Sequence, residues 1–486
     1  MEVLQRTANR GSIATGGYDI ANSLKLESDN AEYLYYTPST QTDYERMAFS
    51  LWIKRTELGT AMLAEFGNGV SNTSNLRIGF DSSDRLFCYG NSIIWRQTNQ
   101  VFRDTSAWYH LFFLFDTTTP GGISNNRIRI WVNGSMIAHT DFGVIGNPSS
   151  GAAMGFNNAL QQSIGAQRED GPKNYFNGYM AQVYGSGGTP PVVTDFGEFD
   201  EDTGIWKPID ISALTPPDTQ GFNLDFSDAN NLGNDISSRN NNFTLQNITS
   251  ADQATDTPTN NFCIMNMLNR TNGNIKNQEG GTKVTTDGGS GWCSMLATMG
   301  VTKGKWYWES QRMSTGTPND VITGIVGSED AYIPYSAATN YYIGNVATSS
   351  SIGYYQKNYP SQEGSVLNGV SLNFFSAPGD TIMFGLDMDN NKMYFGLNGT
   401  WLATNGTDSI GGNPARASTL HADFDGEFVL PGVSVFQGNN MTINFGGYAA
   451  YTISSAESDA NGYGTFEYAP PTGYYALCTK NLAEFG

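Results

Sequence analysis

The chain has 486 residues, too many for one ordinary hydrophobic core, so two or three domains are expected. Its 46 acidic and 26 basic residues leave a formal charge of −20, which excludes a partner held by clustered Lys and Arg, nucleic acid above all. Only 15% of residues are charged, against 56 glycines and 13% aromatics, so short strands, many turns and a neutral polar surface are expected.

In chain order, "MEVLQRTANRGS" lacks the apolar core of a signal peptide. Residues 15–195 then read as a run of short strands. "SLKLES" is followed by a turn at Asp29-Asn30 and by "EYLYY". "MAFSLWIKR" alternates Phe49, Leu51 and Ile53 with polar positions and Trp52. "WYHLFFLFD" is a near-continuous apolar run, as in a strand buried on both faces, and is too short to span a bilayer. "RIRIWVNGSMI" breaks at Asn133-Gly134, a pair suited to the positive φ angles of a type I′ hairpin turn. "YFNGYMAQVYG" closes the series.

Residues 201–261 are dominated by Pro, Asn and Asp, with isolated apolar pieces such as "GFNLDF" and "NFTLQN". They read as an irregular connector with two returning strands. From 262 to 450 strands resume: "GKWYWES", "VITGIVGS", "SIGYYQKN", "GDTIMFGLDMDNNKMYFGLNGTWL" and "FVLPGVSVFQGNNMTINFG". Asn398-Gly399 predicts a second hairpin, and Asp389-Asn390-Asn391 a turn just before it. Residues 451–486 read as a Tyr-, Ala- and Gly-rich tail. The fold expected is all-β: two antiparallel, jelly-roll-like β-sandwiches in tandem, at 1–200 and 262–450.

The ordered strands of the first region resemble the laminin-G-like modules of the concanavalin-A-like superfamily. The second series resembles the SPRY domain, with "WYWE", Gly379-Asp380 and Asn444-Phe445-Gly446 as its marks. The wording of 196–261 is similar to the segment that follows laminin-G-like modules in tail and surface proteins of bacteriophages, especially marine ones. The resemblance implies a tail fibre or receptor-binding protein at the virion surface, assembled in the host cytoplasm. Its implied partners are other virion proteins and a host surface glycan or protein, and it implies a homo-oligomer, a trimer by preference. A capsid decoration or head-fibre protein, or a glycan-degrading virion enzyme, are the alternatives.

Retaining glycosidases place two carboxylates about 5 to 5.5 Å apart. The glucanases of the superfamily carry them as Glu-x-Asp-x-x-Glu on one strand. Here only "ESDNAE" has that spelling, but Ser28, Asn30 and Ala31 interleave the acids and Asp29-Asn30 sit in the turn. No enzyme is expected. His110, His139 and His421 accompany no nucleophile motif and read as structural. Cys88, Cys263, Cys293 and Cys478 are scattered without a CxxC and read as free buried thiols. No cofactor is expected; Glu198, Asp200, Glu201 and Asp202 form a solvated turn, with calcium as the alternative. Trp95, Trp206, Tyr341, Tyr342, Tyr354, Tyr355 and Trp401 are the candidate contact residues, as rings able to stack on sugars or anchor an interface.

Overall fold

The computed structural model describes residues 17–486 except 44, 68–74, 91–92, 121–125, 154, 157, 169–170, 272–273, 288–290, 314–320, 328–341, 345–350, 356–358, 363–364, 367–377, 403–408, 412–417 and 420–427. The chain is nearly all β and divides at Thr259/Asn260 into two compact units. No described helix is long and apolar enough to cross a membrane.

In the first unit, one sheet runs in spatial order through Ser135–Met136, Ile128–Val132, Trp108–Asp116, Arg46–Arg55, Gly178–Gly187, Ser23–Leu26 and Gln253–Ala254. The other runs through Phe142–Ile145, Ile93–Val101, Arg85–Gly90, Leu76–Phe80, Ala61–Phe66, Gln162–Ile164, Tyr33–Tyr36 and Thr244–Gln246. All pairings are antiparallel. Alternate residues of both sheets meet in one core, as when Phe49 packs edge-on against Phe66 at 5.2 Å. Asn133 (φ 47°) and Gly134 (φ 74°) make the expected hairpin turn between Val132 and Ser135.

Residues 201–261 are not a connector. Phe222–Leu224 pairs with Gly178–Gly187, Thr244–Gln246 with Tyr33–Tyr36, and Gln253–Ala254 with Ser23–Leu26. Two buried cations explain the docking. Lys25 and Lys54 are fully buried, and their ammonium groups meet Asp252 at 2.7 Å and Asp256 at 2.6 Å. Lys25 also pairs with Glu32 at 3.1 Å, and Asp252 and Asp256 add the compensation that two ammonium groups held away from water require. Three-residue strands carry too little alternation to announce themselves; their partners define them.

The second unit is also a sandwich. One sheet runs through Met265–Arg270, Trp292–Ala297, Val429–Phe436, Val321–Gly327, Ser351–Tyr355, Tyr359–Gln362 and Ser365–Val366. The other runs through Ile275–Gln278, Lys283–Thr286, Asn440–Asn444, Lys305–Arg312, Thr381–Asp387, Lys392–Leu397, Thr400–Leu402 and Ser409–Gly411. Asn398 (φ 47°) and Gly399 (φ 81°) turn the second hairpin between Leu397 and Thr400.

Residues 451–486 are no tail either. On Lys305–Arg312, Trp306 and Trp308 face the inter-sheet core while Tyr307 faces the other way. There the C-terminal residues Phe466, Tyr474 and Ala476 cover it. Tyr475–Ala476 adds a short parallel strand beside Trp306 and Tyr307.

Candidate binding site

Three loops at one end of the first sandwich enclose a cavity of about 210 Å³. The first is the turn after Arg46–Arg55. The buried Arg55 guanidinium donates to the carbonyls of Phe102 (2.7 Å) and Gly59 (3.0 Å) and pairs with Asp84 at 3.1 Å. Asp84 in turn accepts from the Gly59 N–H at 2.6 Å. Burial pushes the Asp84 carboxyl up, but hydrogen bonds from Gly59, Arg103 and Arg55 outweigh it and hold the group below the usual range. Through these bonds Asp84 fixes the turn that carries Glu57 and Thr60.

The second loop precedes Gly178–Gly187. The Asn174 carbonyl accepts from the Met62 N–H at 2.8 Å, and its side-chain amide donates to Gln167 at 2.7 Å. The Asn177 carbonyl accepts from the Thr56 N–H at 3.2 Å. The third loop is the turn 28–31. The Asn177 side-chain amide donates to Glu27 at 3.0 Å and to the Ser28 hydroxyl at 3.2 Å, tying the second loop to the third. Ser28, Glu57, Thr60, Asn174, Tyr175 and Asn177 line the resulting cavity.

Tyr175 packs beside two further rings of the sheet, of which Tyr33 is buried. Its ring lies 6.1 Å from that of Tyr33, which lies 6.0 Å from Tyr35. The Arg168 guanidinium sits 5.2 Å over the Tyr33 ring. From Tyr35 the strand registers place Ser163, Glu65, Arg77 and Tyr89 in one row on the face turned away from the core. Arg77 donates to Glu65 at 3.1 Å and lies 4.9 Å over the Tyr89 ring, so the row's central charges are internally matched. With strands about 4.8 Å apart, the row spans roughly 19 Å. Tyr35, Tyr89 and Tyr175 are half-buried, whereas Tyr33 is buried.

The acids of "ESDNAE" hold the third loop together. Glu27 and Glu32 are both buried. Glu32 accepts from the Glu27 N–H at 2.8 Å, from the Asn30 amide at 2.9 Å, and pairs with Lys25 at 3.1 Å. Burial raises the Glu32 pKa against the pull of Lys25. Glu27 accepts from Asn177 and from the Asp29 N–H at 3.2 Å. Their lone pairs serve the turn.

In the acid-rich loop, Asp200 accepts from the Thr203 N–H (2.9 Å) and hydroxyl (2.8 Å), and Lys207 bridges Asp200 and Glu198 at 3.3 Å each. Among the described residues, no group of three or more His, Cys, Asp or Glu side chains is placed to hold a metal.

The aromatic candidates need correcting. Trp95, Trp206 and Trp401 are 1%, 6% and 2% exposed, so none can stack on a ligand without opening the fold. Trp95 belongs to the inter-sheet core. Trp206 covers His110 with ring centroids 5.7 Å apart, and Trp401 packs edge-on against Tyr307 at 6.2 Å. Tyr342 is half-buried, its ring 4.9 Å from Trp292. Tyr341 and the side chains of Tyr354 and Tyr355 lie outside the described residues, as does His421. His110 is buried and hydrogen-bonded at both nitrogens, to Ser50 and Trp206. All four cysteines are free and buried. The residues that line the cavity escaped the sequence reading, because "KNYFNG" has only the ordinary polar composition of a loop.

Residues 28–185 match the family model described as the Concanavalin A-like lectin/glucanases superfamily, a span that contains the whole cavity lining. Among solved structures, the SPRY domain of human HERC1 is 18% identical, with 33% of this chain and 87% of that chain covered at a TM-score of 0.24. A second human SPRY domain is 17% identical, with 35% of this chain and 94% of that chain covered at a TM-score of 0.25. No curated protein matches the chain.

Proposed function

We propose that this protein is a non-enzymatic, surface-exposed component of a bacteriophage particle, a tail fibre or receptor-binding protein that attaches to the host surface. The observation that carries the adhesive part is the pre-shaped cavity of the first unit, lined by Ser28, Glu57, Thr60, Asn174, Tyr175 and Asn177. Its walls are held by backbone and side-chain hydrogen bonds, so little ordering entropy is lost on binding. The acids that most resemble a catalytic set are spent on the turn instead. The particle assignment is supported by the wording of residues 196–261, and the SPRY-like reading of the second unit by its sequence marks.

Each site binds weakly in this reading, and repeated copies on a particle raise avidity by a factor on the order of 10² to 10⁴. The test is immunolabelling of intact particles with antibodies raised against the first unit, with adhesion of monomer and trimerised protein to host cells measured in parallel. Labelled intact particles and adhesion by the trimer are expected. Epitopes reached only in broken particles would replace attachment with an internal scaffold role.

A further inference from the structure

We infer that Lys25 and Asp252 join through an intramolecular isopeptide bond, formed once after folding, with Glu32 carrying the protons. The inference stands apart from the attachment reading above and needs no host ligand.

Leu24 and Leu26 of strand Ser23–Leu26 belong to the inter-sheet core, so Lys25 between them faces the other way. The returning strand Gln253–Ala254 pairs beside it, and the side chains of Lys25, Glu32 and Asp252 are left 0%, 2% and 8% exposed. In this buried site Nζ of Lys25 lies 2.7 Å from Oδ1 of Asp252 and 3.2 and 3.1 Å from the two Glu32 oxygens. Oδ2 of Asp252 accepts from the Thr249 N–H at 2.7 Å and from the Thr249 hydroxyl at 3.2 Å. An amine, a carboxyl, a second carboxylate on the amine and two donors on the far oxygen are the parts an acyl transfer needs.

Glu32 takes a proton from the ammonium; burial, which raises its pKa, makes it a better acceptor. The freed lone pair of Nζ attacks Cγ of Asp252, and the Thr249 donors hold the charge that gathers on Oδ2. The Cγ–Oδ1 bond then breaks. Oδ1 leaves as water with two protons that began on Nζ, the amide keeps the third hydrogen, and Glu32 ends as the carboxylate it was. No oxidant, reductant or co-reactant enters. Two buried charges are exchanged for one neutral amide, so the desolvation cost of the ion pair favours the product. Lys54 and Asp256 meet as closely, at 2.6 Å, with the Trp108 indole on the other Asp256 oxygen. The bond is assigned to Lys25 because Glu32 stands there to move the protons.

Lys25 lies near the start of the first unit, Ala14–Thr259, and Asp252 near its end. The bond would enclose most of the unit in one covalent loop and restrict its unfolded state. Tension along the chain would pass from residue 25 to residue 252 and spare the strands between them.

The test is the intact mass of the purified full chain, followed by peptide mapping of its digest. A mass one water below that of the sequence is expected in most molecules, with Lys25 and Asp252 recovered in one branched peptide. Glu32→Gln keeps the size but cannot accept the proton, and should restore the full mass with an unchanged circular dichroism spectrum. On denaturing gels the unaltered chain should run ahead of this variant, because its loop stays closed. Full mass in the folded, unaltered chain overturns the inference, as does a lost water mapped to Lys54–Asp256 or to any other position. Equal cross-linking in Glu32→Gln overturns the role of Glu32. Where that variant does not fold, the peptide map of the unaltered chain decides alone.

Discussion

The indole N–H of Trp206 donates to Nδ1 of His110 at 3.0 Å, and the same imidazole meets the Ser50 hydroxyl through Nε2 at 2.9 Å. A donor aimed at Nδ1 requires that nitrogen to be unprotonated, so His110 is neutral with its proton on Nε2. Burial pushes its pKa down from 6.5 to about 3. A lowered histidine contributes stability above its unfolded pKa and loses it as pH falls through the window from 6.5 towards 3.

Acidification from neutral pH to pH 4 should therefore cost the first unit about 3 kcal/mol through His110 alone. The check is the difference between the unaltered protein and His110→Gln in denaturant unfolding across that range. The variant's curve should be flatter by this amount. Parallel curves would show that His110 is not the titrating group.

Asp256→Ala should destabilise the first unit by about 3 to 5 kcal/mol, because it removes the carboxylate paired with the buried Lys54 ammonium and the acceptor of the Trp108 indole. A fragment ending at residue 200 should fail to fold, while one ending at 259 should give a cooperative transition. Equal folding of both fragments would restore 201–261 as a connector.

Glu309 is the corresponding anchor in the second unit. Its carboxylate accepts from the hydroxyls of Tyr307 (2.8 Å) and Tyr451 (2.7 Å) and from the backbone N–H groups of Glu467 (2.9 Å) and Tyr468 (2.8 Å). Glu309→Gln turns one acceptor oxygen into a donor facing other donors. A loss of roughly 1 to 3 kcal/mol is expected, confined to the second unit, with earlier proteolysis within 451–470. Unchanged protection of that segment would mean that Glu309 does not hold it.

Gly134→Val and Gly399→Val should each lower a different calorimetric transition, since valine resists positive φ. Gly134→Val carries an added cost, because its side chain would overlap the Trp206 ring. At Gly399 the added Cβ would lie 2.9 Å from Tyr468. A single transition shifted by both variants would mean one merged cooperative unit.

Much of the architecture was legible without coordinates. Alternation in "MAFSLWIKR" and the Asn-Gly pairs act within a few residues, so the sequence alone determined the strands, the two hairpins and the all-β class. It also showed that the "ESDNAE" acids sit about a turn, because Asp and Asn favour turns locally. The choice between a ring that packs and a ring that displays was made elsewhere. Trp206 reads like a surface tryptophan until His110, 96 residues away, comes under it, and only the fold brings Asn177 to Glu27 across 150 residues. Alternation assigns a side chain to one of two faces; whether that face meets water depends on which distant segment has docked there. For residues 206–211, 244–254 and 466–476, tertiary packing alone decided it.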